Sequence, residues 1–149
     1  MVWEIHPYIG LSDLTFDLNV STVVAKLGQP SQQRRMPSGR IRFMFGSDKP
    51  AIVFEDERLV EIATVPDLSD PLMLGTTSIY EKSPREIITE ISKLDKDVYQ
   101  KNGFLVCFNL GIALTGFHDD DPNQKAVVMF RKGFHWANQI SEMEKFSPD

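Results

Sequence analysis

SPREIITEISKL, residues 83–94, carries a full set of helix-start signals: Ser83 can cap, Pro84 takes the first helical position, and Glu86 can reach back to the cap. Ile87, Ile88, Ile91 and Leu94 then recur on one face at helical spacing. Working outward, NVSTVVAKLG at residues 19–28 has the same plan. Asn19 can cap it, Val20, Val23, Val24 and Leu27 fall at i, i+3, i+4 and i+7, and Gly28 with Pro30 stops it. The segments after the two helices are also alike. After the first, QPSQQRRMPSG lacks periodicity and reads as a loop, and RIRFMF, AIVF and LVEIATV read as three strands separated by SDKP and EDER. After the second come GFLVCFNLG, GIALTGF and KAVVMFRK, again three apolar runs parted by glycine or polar breaks.

The spacing therefore predicts an α+β fold over residues 1–149 as a single domain. It would be built from two tandem helix-plus-three-strand units, 9–74 and 75–136, packing antiparallel sheets against short helices. One irregular α+β domain without duplication accounts for the same order. The chain has 149 residues, 42% apolar and 25% charged, which is enough for one substantial core.

Several function classes are disfavoured by composition. No apolar run reaches the ~18 residues of a membrane span, and MVWEIHPYIG places Glu4 and His6 where a secretory signal needs an apolar stretch. The expectation is a cytoplasmic protein with no membrane partner. Cys107 is the single cysteine and sits in an apolar run, as a buried inert thiol would. The net charge of −5 argues against nucleic-acid binding. Charge is also segregated along the chain. Residues 18–47 hold Lys26, Arg34, Arg35, Arg40 and Arg42 and no acid, whereas residues 48–70 hold seven acids against Lys49 and Arg58. A face basic at one end and acidic at the other suits a protein partner.

Two acidic turns stand out. Glu55, Asp56 and Glu57 fall in the first unit, and GFHDDDPNQK, residues 116–125, carries His118, Asp119, Asp120 and Asp121 in the second. Three consecutive carboxylates do not converge on one ion, and the calcium-loop spacing is absent, so no metal and no cofactor is expected. A solvated turn and a protein-binding acidic loop both fit the second stretch. A metal-dependent enzyme using the His118 to Asp121 loop is a third alternative, and a Cys107, His118 and Asp119 nucleophile set is conceivable. No nucleophile elbow or phosphate loop occurs, so the reading is non-enzymatic, with no catalytic residues. FRKGFHW, residues 130–136, offers Trp136 as an aromatic anchor for an interface.

The succession IGLSDLTFDLNVSTVVAKLGQP, RFMF, AIVFEDERLVEIAT resembles small bacterial α+β proteins, in which a helix ends in leucine-glycine-x-proline and a hairpin carries a phenylalanine and an acidic turn. That pattern occurs in the small lipoproteins of outer-membrane barrel assembly and in immunity proteins of polymorphic and contact-dependent inhibition toxins. It covers residues 9–64 directly and 75–130 through the repeated order. No lipid-bearing N-terminal cysteine is present, which turns the resemblance toward the immunity proteins. It implies a cytoplasmic inhibitor that binds one cognate toxin stoichiometrically, a basic nuclease being one such partner. The contacts would be the triplet Asp119–Asp121 with Trp136 beside it, and Glu55, Asp56 and Glu57. An accessory or scaffold domain is the alternative.

Overall fold

A computed structural model describes residues 2–119, 121, 124–133 and 135–147, with the backbone alone for 135–138. The caps act where the sequence places them. In α1 (Val20–Leu27) the Asn19 side chain accepts from the Thr22 amide at 2.9 Å, and the Gly28 amide closes the helix on Val24 O at 2.8 Å. In α2 (Pro84–Leu94) the Ser83 hydroxyl accepts from the Glu86 amide at 3.3 Å and donates to the Glu86 carboxylate at 3.1 Å. Glu86 thus returns to the cap through its hydroxyl. Val23, Leu27, Ile87 and Ile91 are buried, while Leu94, the last residue of α2, is 60% exposed.

Among the described residues the remaining elements are strands and a short 3-10 helix. β1 (Trp3–His6), β2 (Gly10–Leu11) and β3 (Leu14–Thr15) precede α1. β4 (Gln32–Arg35), β5 (Ile41–Met44), β6 (Ala51–Glu55) and β7 (Arg58–Thr64) come after it. β8 (Leu72–Leu74) and β9 (Thr77–Ser78) lead into α2. β10 (Val98–Lys101), β11 (Phe104–Cys107), β12 (Ile112–Thr115) and β13 (Ala126–Phe130) come next, then a 3-10 helix (His135–Glu142) and β14 (Glu144–Lys145).

The fold is α+β, with two α-helices packed against two sheets. The small sheet has the order β3-β2-β1-β8-β9, with β1 and β8 parallel and the other pairs antiparallel. The large sheet is antiparallel, with the order β14-β10-β11-β12-β13-β7-β6-β5-β4. Its two four-strand meanders, β4 to β7 and β10 to β13, meet where β13 pairs with β7. Each helix is therefore succeeded by four strands, one more than the three expected. The additions lie toward the sheet's edges. Gln32, Gln33, Arg34 and Arg35 are all exposed in β4, and only Val98 is buried in β10. A strand that buries little has no apolar alternation by which to be recognised.

The large sheet has two distinct faces. One carries Ile52, Phe54, Leu59, Ile62, Leu105, Cys107, Ile112, Leu114, Val127 and Met129, and both helices and the small sheet pack on it. On the other face Val53, Val60, Val106, Ala113 and Phe130 form a second cluster to which neither α-helix nor any small-sheet strand contributes. The Tyr8 ring, from the β1–β2 turn, meets Phe130 edge-on at 5.9 Å, and its hydroxyl donates to Phe108 O. A register shift between Val53 and Phe54 marks a bulge in the β6–β7 pair on this second face.

Candidate functional site

Along each large-sheet strand, side chains alternate between the covered and the open face. Cross-strand register then assembles the open face row by row. Gln32 lies opposite Met44, Ala51 opposite Ala63, Ala63 opposite Val128, and Val128 opposite Ala113. Small side chains in the middle of such a row leave a depression. The result is a groove of about 520 Å³ crossing the strands, floored by Ala51, Ala63, Ala126 and Val128, with Arg42 toward one end and Phe104 toward the other.

Charge around the groove is arranged by pairing. Nε of Arg40 donates to the Glu55 carboxylate at 2.8 Å, and the Lys49 ammonium donates to Leu27 O at 3.0 Å. Arg42 is half-buried on the groove wall and near Glu61. Burial pushes the Glu61 carboxyl above its ordinary range, against the opposing pull of Arg42 and then Arg40. A carboxyl whose folded pKa is raised holds its proton longer in the native state, so stability falls as pH rises from the unfolded value through the folded one. Glu61→Gln is expected to unfold at higher urea concentration than the parent at pH 7, with the difference closing below about pH 4.5. A Glu61→Gln variant that unfolds at lower urea concentration than the parent at pH 7 would assign Glu61 a stabilising charge instead.

The two acidic turns occupy opposite ends of the large sheet. The Asp56–Glu57 turn precedes β7 and the 116–125 loop precedes β13, and these strands run antiparallel with Val127 opposite Thr64 and Phe130 opposite Glu61. A seven-residue strand separates them by about 20 Å. Asp56 and Glu57 are exposed, with φ of 52° and 64°, as a tight hairpin turn requires. Glu55 is engaged with Arg40.

The 116–125 loop leaves from Thr115 and returns at Ala126, both groove residues. Asp119 is exposed and Asp121 half-buried. The Asp121 amide donates to Gly116 O at 3.1 Å, and the Thr115 hydroxyl donates to Gln124 O at 2.7 Å, so the loop is pinned at its base. Asp120 and the Trp136 side chain lie outside the described residues.

Among the described residues no three His, Cys, Asp or Glu side chains converge as metal ligands. His118 turns toward a different space, a cavity of about 640 Å³ beside the first turns of α2, lined by Ser83, Arg85, Thr89, Phe117 and Phe146. Its Nδ1 is shielded and makes no hydrogen bond among the described residues. Cys107 faces the core with no exposed surface, and burial raises its thiol pKa far above the ordinary value. That opposes the thiolate which the Cys107, His118 and Asp119 arrangement would need. No helix among the described residues is long and apolar enough to cross a membrane.

Sequence reasoning missed the groove floor. Its signal was present in the alternation of AIVFE and RLVEIAT, where Ala51 and Ala63 take outward positions, but apolar alternation alone names no outward partner. Comparison with known proteins returned no match among family models, curated proteins or solved structures.

Proposed function

We propose that this chain is a non-enzymatic inhibitor that neutralises a bacterial toxin by stoichiometric binding in the cytoplasm, as immunity proteins do, through the grooved end of the open sheet face. The observation that supports this reading is the placement of the 116–125 loop at the rim of a groove with an apolar floor. An apolar centre with a charged margin is the common anatomy of a protein interface. The Asp119–Asp121 loop is the favoured acidic contact. The Glu55–Glu57 turn stands at the other end of the sheet, with Glu55 already paired.

The reading is tested by bacterial survival. Co-expression with the toxin encoded immediately upstream of the gene should protect cells, and Val128→Arg, which places a charge on the groove floor, should abolish protection while the protein stays folded. Continued killing in the presence of the parent protein would overturn the inhibitor reading. Replacing Asp119, Asp120 and Asp121 together by serine should leave the protein folded, because the Thr115 hydroxyl and the Asp121 amide hold the base of the loop through bonds that use no carboxylate. The same variant should slow association with a basic toxin and flatten its dependence on salt, as read by stopped-flow mixing. Equal rates at every ionic strength would reduce the triplet to a solubilising turn.

A further inference from the structure

The groove crosses seven neighbouring strands, β4, β5, β6, β7, β13, β12 and β11, each contributing at least one lining residue. Strands lie about 4.8 Å apart, so six intervals give a length of about 29 Å, the span of roughly nine residues of extended chain. A rounded metabolite does not use such a shape. The floor is apolar and nearly featureless from Ala51 to Val128. Polar specificity must therefore come from the ends.

At one end stands the Arg42 guanidinium. Among the described residues it makes no hydrogen bond and no ion pair within 4.0 Å, whereas Arg40 is held by Glu55 and Lys49 by Leu27 O. Arg42 is half-buried, so its surroundings already remove part of its hydration. A guanidinium with unused donors in that setting is a bidentate receptor for a carboxylate. The adjoining edge strand adds the exposed Arg34, directly across from Arg42 in the sheet and on the same face. On this face Arg34 and Arg42 outnumber Glu61, which feels Arg42 from two strands away, so the positive balance at this end calls for an acidic occupant. At the other end the half-buried Phe104 and Val128 offer apolar surface to an aliphatic or aromatic side chain.

We propose that the groove binds an extended acidic segment of the partner protein, with a carboxylate paired to Arg42 and apolar side chains lying over Ala63, Val128 and Phe104. This assignment rests on the protein-binding reading above and adds the chemistry of the bound segment. A second copy of this chain is the rival occupant.

Short random peptides displayed on phage and selected on the immobilised full chain supply the probe. Enriched sequences should place aspartate or glutamate a few residues from an aromatic or aliphatic side chain. A labelled synthetic peptide of the enriched sequence should bind the parent, about tenfold more weakly to Arg42→Gln, which corresponds to about 1.4 kcal/mol, and not detectably to Val128→Glu. Unchanged melting temperatures of both variants exclude misfolding as the cause. Enrichment of basic or uncharged sequences, no enrichment, or equal binding to Arg42→Gln would overturn the proposal. So would sedimentation showing a dimer that Val128→Glu dissociates. Protection of cells by the parent, lost in Val128→Arg, together with any of those results would leave the inhibitor reading standing and remove only the acidic segment.

Discussion

Asp95→Ala is expected to lower the free energy of unfolding by about 3–5 kcal/mol, a large share of the roughly 5–15 kcal/mol that a domain possesses. Asp95 comes directly after the last turn of α2 and is 1% exposed. Its Oδ1 accepts from the Asp97 amide at 2.8 Å and Asn109 Nδ2 at 2.9 Å, and its Oδ2 accepts from the Asn109 amide at 2.8 Å and the Leu110 amide at 3.0 Å. A carboxylate just beyond a helix C-terminus opposes the helix dipole, so these bonds must more than offset that repulsion and the loss of hydration. Alanine would leave the amides of the β11–β12 connection without acceptors. Asparagine keeps the shape and one acceptor oxygen, and should lose about half as much. Urea unfolding at pH 7 measures both variants. A loss below about 1 kcal/mol for Asp95→Ala would show that water replaces the carboxylate at this corner.

Gly10→Ala should destabilise by about 3 kcal/mol or more, and the cause is backbone against backbone. Gly10 is in β2, where it pairs with His6 of β1 and Thr15 of β3. Its φ is +152°, and an added Cβ would stand 2.1 Å from Leu14 O and 2.8 Å from Thr15 Cα. Neither atom can retreat without opening the β2–β3 ladder, which carries the fully buried Leu11 and Leu14. Gly103→Ala is the control. Gly103 also has positive φ, +85°, but nothing lies within 4 Å of its added Cβ, so the cost is conformational strain of about 1 kcal/mol. For a chain of this length the melting temperature should fall by roughly 6–12 °C for Gly10→Ala and by about 2–4 °C for Gly103→Ala. Equal shifts would mean that β3 gives way easily, and that the small sheet contributes little.

The parts legible in the sequence are those decided within a few residues. Asn19 and Ser83 cap helices because the amides they bond are three residues away, and AIVFE, RLVEIAT, FLVC, IALT and AVVMF declare themselves by being apolar where the core covers them. The α+β class arises from those elements alone, and so do the two acidic turns. β4 escaped notice because all four of its residues are exposed, and its pairing with β5 supplies what its side chains do not.

Tertiary structure alone decided which of these features share a place. Turns in corresponding positions of the two meanders end up about 20 Å apart because β7 and β13 join antiparallel, a pairing between residues more than sixty positions apart that no local spacing encodes. The same joint sets Ala63 against Val128 and carries the groove from one meander into the other. Local hydrogen bonding and periodic burial are written residue by residue. A surface shared by two distant meanders arises only when the whole sheet closes over its buried face, and that depends on the summed burial of the core rather than on any one segment.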